Sequence, residues 1–251
     1  MTISTKPPER TPRDSVIAWA ALGLAVGLGA VSLIAFGIFL YAGSFGLLEF
    51  GLDLQGKLAA DAGLSLLFFA QHSWMVRRSF KEQLARVVPR HYLDAIYAIA
   101  SGAALLAVVL LWQDSRQILF QPTDGVWWAG RSVFLLALAI GVWSGLSLKG
   151  FDSFGIRAIK HRFREEPARP PVLVVQGAYR WVRHPMYLVV LLMIWSYPVL
   201  TADRLLFNVL WTLWIVIGAV LEERDLVTDF GEGYREYQRE VPMLLPTKMP
   251  R

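Results

Sequence analysis

Apolar residues collect in long blocks along the chain, separated by short polar segments. Each block is about as long as the roughly 20 residues that a helix needs to cross the hydrocarbon core of a bilayer. Six blocks stand out, at residues 16–41, 59–75, 93–112, 127–148, 186–200 and 205–221. Only residues 201–204 join the last two blocks, which predicts a tight helical hairpin. We therefore predict an all-α integral membrane protein with about six transmembrane helices.

The charge pattern of the connecting segments predicts an orientation. Lys and Arg are frequent before the first block, after the second and after the fourth, and they are scarce in the other connections. Cytoplasmic loops carry this excess, so we expect a multi-pass protein of a bacterial inner membrane with both termini in the cytoplasm. Most of these basic residues are then expected to contact membrane lipid. No small-residue cleavage site follows the first block, which favours an uncleaved signal anchor.

Composition excludes several other classes of protein. Hydrophobic residues make up 55% of the 251 residues, above the range of ordinary soluble domains. The chain has no cysteine, so disulfides and cysteine-ligated metals are excluded, and the four scattered histidines form no metal-binding pair. The net charge of +5 follows from the topology, so no nucleic-acid partner is expected. The blocks after the second have essentially no charge at their centres, which argues against a transporter.

The pattern divides the chain into three parts: a tail (1–15), a four-helix transmembrane region (16–148) and a C-terminal core (149–251). In the core, Arg183 and His184 precede Pro185, which suits the first turn of a helix. A helix N-terminus there would offer free N–H groups and a positive dipole end to a carboxylate.

Glu222 and Glu223 follow the last apolar block directly. At a helix C-terminus they would oppose the helix dipole, so a cationic partner is expected. An amphipathic helix is predicted beyond them, interrupted near Gly231 and Gly233, because apolar residues recur at helical spacing. These residues are Leu226, Phe230, Tyr234, Tyr237 and Val241. The predicted hairpin brings the Glu pair level with Arg183 and His184, where a ligand with an anionic and a cationic end could bind.

The motifs of the C-terminal core, taken in their order and spacing, resemble the isoprenylcysteine carboxyl methyltransferase superfamily over about residues 172–246. They are Gly177-x-Tyr179, Arg183-His184-Pro185-x-Tyr187, Glu222-Glu223, Phe230-Gly231 and Val241-Pro242. Upstream, Gln71-His72-Ser73, Phe80-Lys81 and Phe151-Asp152-x-Phe154-Gly155-x-Arg157 are similar to the methanethiol S-methyltransferase branch, which is NnrU-like.

This resemblance implies methyl transfer from S-adenosylmethionine to methanethiol, giving dimethyl sulfide. Other acceptors stay open, among them a prenylcysteine carboxylate, a lipid amine and another thiol, as does a non-enzymatic NnrU-like membrane protein. The oligomeric state is open as well. Two departures from the superfamily pattern matter. Leu188 and Val189 stand where a Gly is usual, which puts close helix packing in doubt. Gly218 stands where the prenylcysteine enzymes place an Arg, which favours a small neutral or thiol substrate.

The resemblance also implies a set of site residues. Cofactor contacts are expected from Val172, Leu173, Val174, Tyr179, His184, Pro185, Met186, Tyr187, Glu222, Glu223 and Tyr234. Our catalytic candidates are His72, which could assist a thiolate, and Arg183. Substrate contacts are assigned to Gln71, Asp152 and Arg157. Structural roles compete with these: an interfacial His72, an ion pair of Asp152 with Arg157, and interfacial anchoring by Tyr234 and Tyr237.

Overall fold

The computed structural model of the chain describes residues 12–148, 154–156, 158–160 and 172–249. Within these residues the fold is almost wholly helical, as predicted. The helices are α1 (Pro12–Ala42), α2 (Leu54–Met75), α3 (Arg78–Leu84), α4 (Leu93–Leu111), α5 (Asp124–Ser147), α6 (Pro185–Trp195), α7 (Ala202–Phe230) and α8 (Glu232–Glu240). Short 3₁₀ helices lie at Arg90–Tyr92 and Gly177–Arg180, and strands β1 (Ile118–Phe120) and β2 (Leu200–Thr201) pair antiparallel. Asp152 and Arg157 lie outside the described residues.

Four described helices are long and apolar enough to cross a membrane: α1, α4, α5 and α7. Helix α6 is apolar but has only 11 residues, and α2 does not reach the same apolarity. The chain is thus a helical integral membrane protein. Each of the six apolar blocks coincides with a helix, whereas the number of helices that cross the bilayer stays a prediction.

The structure differs from the predicted hairpin in where each of its two helices ends. Helix α6 stops at Trp195, before Pro198, and β2 occupies part of the connection to α7. Helix α7 continues beyond Leu221 to Phe230, so the hydropathic end of the block is not the end of the helix. The backbone continues because the residues after Leu221 are polar but remain compatible with a helix.

One end of the bundle is joined by buried polar side chains. Arg204 at the start of α7 donates to the carbonyl oxygen of Leu40, at 2.8 Å, and so caps the last turn of α1. The Trp112 indole donates to Asp203 at 3.1 Å, and the backbone N–H of Gln113 donates to the Asp61 carboxylate at 2.9 Å. These bonds tie α1, α2, α4 and α7 together, because each polar group would be costly to leave unpaired in an apolar interior.

The opposite end gathers the candidate site. The last turn of α2, the first turns of α4 and α6, and the C-terminal part of α7 meet there; Arg77, for example, pairs with Asp225 at 3.5 Å. The first part of α1 packs there too, because Ala18 and Ala25 share a buried cluster with Ala95 of α4. The start of α1 and the ends of α2 and α5, which border the three segments rich in Lys and Arg, lie at this end, as the charge alternation predicts. That this end faces the cytoplasm stays a prediction.

The absent glycine after the Arg-His-Pro motif is compensated on the facing helix. Val189 of α6 is 4% exposed and packs onto Gly141 of α5, where an added Cβ would lie 3.2 Å from the Val189 side chain. The doubt about close packing is therefore resolved, since the small residue comes from α5.

Candidate active site

A pocket of about 330 Å³ lies between the start of α6, the C-terminal third of α7 and α8. We call it the cofactor pocket, after the sequence prediction that its residues contact a cofactor. Its volume is at the lower end of the range for small-molecule sites. Its walls combine a helix N-terminus, one carboxylate, four phenols and aliphatic side chains. The lining residues are Leu148, Val172, Leu173, Val174, Tyr179, Arg183, His184, Pro185, Met186, Tyr187, Glu222, Leu226, Phe230, Tyr234 and Tyr237.

The start of α6 is held in place by the chain that follows α8. Pro185 occupies the first turn, as predicted. The backbone N–H of Arg183 donates to the Pro242 carbonyl at 2.9 Å, and that of His184 donates to the Met243 carbonyl at 3.1 Å. The first N–H groups of a helix have no partner within the helix, so this anchored turn can offer donors to a ligand in the pocket.

Arg183, which lines the pocket, and Glu223, which lies behind it, form a two-pronged ion pair that we call the clamp. The guanidinium donates from Nε to Oε1 at 2.6 Å and from one Nη to Oε2 at 3.0 Å. The two side chains are 9% and 11% exposed. Arg183 also donates to the carbonyl oxygens of Gln238 and Val241. The clamp therefore joins the start of α6 to α7 and to the end of α8.

The prediction that the Glu pair ends a helix is wrong, because α7 continues to Phe230. Since the pair lies within the helix, the dipole argument for a cationic ligand does not apply to it. Glu223 finds its cation in Arg183. Glu222 points differently: it lines the cofactor pocket and accepts a hydrogen bond from the Tyr187 hydroxyl at 2.5 Å.

The ring of Tyr187 stacks on the imidazole of His184, with 5.2 Å between ring centroids and 4° between planes. His184 is buried and lies 3.2 Å from Glu223 Oε1 through its Nε2. The stacked pair is thus fixed at one edge by the clamp and at the other by Glu222, which gives the pocket a rigid wall.

The predicted amphipathic stripe closes the pocket from the far side. Tyr234, Tyr237 and Val241 are buried together, and Leu226 and Phe230 pack against them. The helix breaks at Gly231, which has φ +58°, a conformation that favours glycine. Gly233 lies within α8 and causes no break.

Three of the four phenols of the pocket, those of Tyr179, Tyr234 and Tyr237, stay protonated at ordinary pH. Burial, reinforced by the nearby carboxylate of Glu222, raises the pKa of Tyr179 to about 12. Burial also raises the pKa of Tyr234 and of Tyr237 well above the usual range. The Tyr237 hydroxyl donates to the Tyr179 carbonyl at 2.5 Å. These side chains are therefore neutral walls and hydrogen-bond donors, and they do not act as bases.

A second cavity, the apolar chamber, adjoins the cofactor pocket. It has a volume of about 380 Å³ and lies between α1, α2, α4, α6 and α7. Met186 and Tyr187 line both cavities. The wall of the chamber is mostly aliphatic and aromatic. Its residues are Gly29, Ser32, Leu33, Phe36, Phe68, His72, Tyr97, Ala98, Ser101, Gly102, Leu105, Phe154, Met186, Tyr187, Val190, Trp211, Trp214 and Ile215.

A third, smaller cavity of about 290 Å³, which we call the side pocket, lies between α2, α4, α6 and α7 at the site end of the bundle. It is lined by Tyr187 and Glu222, which also line the cofactor pocket, and by His72 and Tyr97, which also line the chamber. Tyr187 thus lines all three cavities. Gly218 lines the side pocket, and an added Cβ there would meet no atom within 4 Å.

His72 lies where the chamber meets the side pocket. Its Nε2 is 2.7 Å from the Tyr97 hydroxyl, and its ring contacts Phe68 and Trp214. Because the Tyr97 hydroxyl can donate or accept, it can serve either tautomer of the imidazole. His72 is therefore an oriented polar group at the rim of an apolar cavity.

The structure brings together most of the residues predicted as cofactor contacts. All of them except Glu223 line the cofactor pocket, and Glu223 lies behind it in the clamp. Gln71 lines none of these three cavities; its amide nitrogen is 3.3 Å from the Ser101 hydroxyl, between α2 and α4. Asp152 and Arg157 cannot be placed.

Sequence reasoning missed Tyr97 and Gln238. Tyr97 is a phenol within an apolar block, one of the few polar groups of α4, and that contrast is a usable signal. Gln238 donates to Glu223 at 2.8 Å from the short helix α8, where the sequence offers no such signal. Among the described residues, no group of three or more His, Asp or Glu side chains could hold a metal ion.

The fold and the site define a helical integral membrane protein with a small-molecule pocket that contains charged and phenolic side chains and shares two lining residues with an apolar chamber within the bundle. The chain belongs to the NnrU protein family, whose model matches residues 62–228. This confirms the NnrU-like resemblance of the motifs.

Three curated relatives share the name methanethiol S-methyltransferase. The protein of Pseudomonas sp. (strain GM41(2012)) is 36% identical over 79% of this chain and 76% of its own length. That of Crocosphaera subtropica is 34% identical over 77% and 76%, and that of Pseudomonas deceptionensis is 36% identical over 76% and 73%. No solved structure matches the chain significantly.

Proposed function

We propose that the protein transfers a methyl group from S-adenosylmethionine to a small thiol, with methanethiol as acceptor and dimethyl sulfide as product. The names of the relatives support this activity. The observation that carries it is the junction at Tyr187, where a pocket with a helix N-terminus and a carboxylate adjoins an apolar chamber that holds a histidine. Donor and acceptor can meet there without crossing water.

The residues of the cofactor pocket fit S-adenosylmethionine. The first turn of α6 offers N–H groups to a carboxylate. Glu222 offers a carboxylate to an ammonium or to ribose hydroxyls, and Leu173 and Phe230 offer apolar surface to a base. When bound, the cofactor supplies an activated methyl group on a sulfonium. The residues bind and orient it, and they keep water away from the junction.

On the acceptor side, we propose that His72 receives or orients the thiol proton, with Tyr97 fixing the imidazole. The thiolate is the stronger nucleophile. Balanced, the reaction breaks the bond between the methyl carbon and the sulfonium, forms a bond between that carbon and the acceptor sulfur, and releases the thiol proton. For Arg183 we propose a positioning role, because its guanidinium is occupied by Glu223 and by backbone carbonyls.

The acceptor assignment is also supported by Gly218. This position lines the side pocket without offering a cation, and Arg77, which lines the same pocket, is paired with Asp225. A prenylcysteine carboxylate would therefore have no free guanidinium among the described residues of this pocket.

The test is an assay with purified protein, S-adenosylmethionine carrying a trideuterated methyl group, and methanethiol. Headspace mass spectrometry should detect dimethyl sulfide with three deuterium atoms. Glu222→Gln should lower the rate at least tenfold and weaken cofactor binding in calorimetry. Glu236→Gln, in an exposed residue of α8 outside the pocket, is the matched control and should change neither.

Binding of the cofactor without product from methanethiol would direct the search to the lipid amine and prenylcysteine acceptors. Absence of both binding and product would favour the non-enzymatic alternative.

We also propose that the site end of the bundle faces the cytoplasm, with both termini on that side. The chain has no cysteine, so single introduced cysteines report orientation cleanly. In intact cells an impermeant maleimide should label Gln117→Cys, at the opposite end, and not Met249→Cys, although both positions are exposed. The reverse labelling would invert the topology.

A further inference from the structure

The apolar chamber is larger than methanethiol requires. A cavity of about 150 Å³ lined by aliphatic and aromatic side chains holds benzene, whereas this chamber has about 380 Å³. Methanethiol consists of one carbon, one sulfur and their hydrogens. We infer that the chamber receives the apolar group of longer thiols, so that alkyl and arylalkyl thiols are acceptors. This inference rests on the proposed methyl transfer.

The chamber is deep as well as large. Along α4 its lining runs from Tyr97 to Leu105, and at 1.5 Å per residue this distance is about 12 Å. The rim at Tyr97 is the end near Met186 and Tyr187, which the chamber shares with the cofactor pocket. The floor is formed by Phe36 and Leu105, which belong to the hydrophobic core.

The polar side chains at the rim of the chamber orient such an acceptor. His72 and Tyr97 are at the rim, next to the junction with the cofactor pocket. Deeper in the chamber, the hydroxyl of Ser32 is occupied by the Gly29 carbonyl at 2.8 Å. The thiol therefore faces the cofactor pocket, and the apolar tail points toward the floor.

The same lining excludes thiols with a charged tail. Among the described residues, no Lys, Arg, Asp or Glu side chain lines the chamber. A carboxylate placed there would lose its hydration without gaining a partner. Mercaptocarboxylates are therefore expected to be poor acceptors, although they carry the same thiol.

The chemistry is unchanged for a longer acceptor. The thiol R–SH loses its proton, its sulfur forms a bond with the methyl carbon, and the bond of that carbon to the sulfonium breaks, giving R–S–CH₃. Each buried methylene contributes about 0.8 kcal/mol. Since 1.36 kcal/mol is a tenfold change in rate, kcat/KM at equal free thiol should rise about fourfold per methylene until the floor is reached.

The experiment compares methanethiol with hexanethiol in two variants of the full-length protein. Val190→Phe places a larger side chain in the wall of the chamber, whereas Val209→Phe makes the same change at an exposed position of α7 outside the lining. The measured quantity is the ratio of kcat/KM for hexanethiol to kcat/KM for methanethiol, from mass spectrometry of both methyl sulfides. Partitioning of hexanethiol into detergent cancels when variant and wild type are compared.

We expect wild type to methylate hexanethiol with a higher kcat/KM than methanethiol. The ratio should fall at least tenfold in Val190→Phe and change less than twofold in Val209→Phe. Methanethiol turnover without hexanethiol turnover would overturn this inference and leave the proposed function standing. An equal change of the ratio in both variants would also overturn it. Failure to methylate any thiol would overturn the proposed function itself.

Discussion

Replacing Arg183 by methionine removes the cation of the clamp and leaves Glu223 without its strongest partner. Removing one member of a buried ion pair costs about 3–5 kcal/mol. The lower end applies here, because both side chains retain about a tenth of their exposure and because Gln238 and His184 still contact the carboxylate. We therefore expect a loss of about 3 kcal/mol in the free energy that holds α8 onto α7.

Hydrogen exchange measures this free energy locally. A loss of about 3 kcal/mol is on the order of a hundredfold in the opening equilibrium, so the amides near the end of α8, including that of Val241, should exchange about a hundredfold faster. The matched control is Arg235→Met in the same helix. Arg235 pairs with Glu232 at 3.5 Å, with both side chains more than half exposed, so its loss should change exchange less than about twofold.

Replacing both partners separates the charge effect from packing. Arg183→Met with Glu223→Met leaves no unpaired carboxylate, so the double variant should recover part of the protection lost in Arg183→Met. Exchange in Arg183→Met within threefold of wild type would refute the argument that the clamp holds α8. Equal acceleration in Arg235→Met would refute it as well, because the effect would then not depend on burial.

Three further expectations concern the pocket and its support. Tyr187→Phe removes the hydrogen bond to Glu222 and should weaken S-adenosylmethionine binding about tenfold in calorimetry, a loss of about 1.4 kcal/mol; unchanged affinity would contradict a role in holding that carboxylate. Gly141→Val crowds Val189 and should destabilise the protein by about 1–3 kcal/mol in thermal unfolding, with partial recovery on adding Val189→Ala; no recovery would place the strain elsewhere. Because the pKa of Tyr179 is about 12, its phenol stays protonated up to about pH 11, so Tyr179→Phe should leave the shape of the rate profile between pH 6 and 10 unchanged.

The positions of the helices, the end of the bundle at which each one starts, and the buried face of the last helix could be predicted, because they depend on the local sequence pattern. Block length and the alternation of basic connections indicated six helices and placed their ends on two sides, and the stripe from Leu226 to Val241 was confirmed as one buried face. The end of α7 could not be found from hydropathy, because a helix that leaves an apolar environment can continue on polar residues. Hydropathy therefore places Glu222 and Glu223 at a helix end, although they lie within α7.

Side-chain partners were harder to predict than side-chain location. Nearly all expected pocket residues line the pocket, because the resemblance specifies positions along the chain. The pairing of Arg183 with Glu223 spans 40 residues of sequence, and the contact between Val189 and Gly141 joins α6 to α5. Such pairs arise from the packing of distant segments, and one sequence contains no local signal for them.

The cap that Arg204 places on α1 has a consequence for how the protein is made. The guanidinium lies on residue 204, and it donates to the carbonyls of Phe39 and Leu40, which are synthesised much earlier. When α1 enters the membrane, Arg204 has therefore not yet been synthesised. The carbonyls at the end of α1 lack this cap until most of the chain has followed. Bundle closure is then a late event of biogenesis, and nascent chains stalled before α7 should be more exposed to membrane proteases than the completed protein.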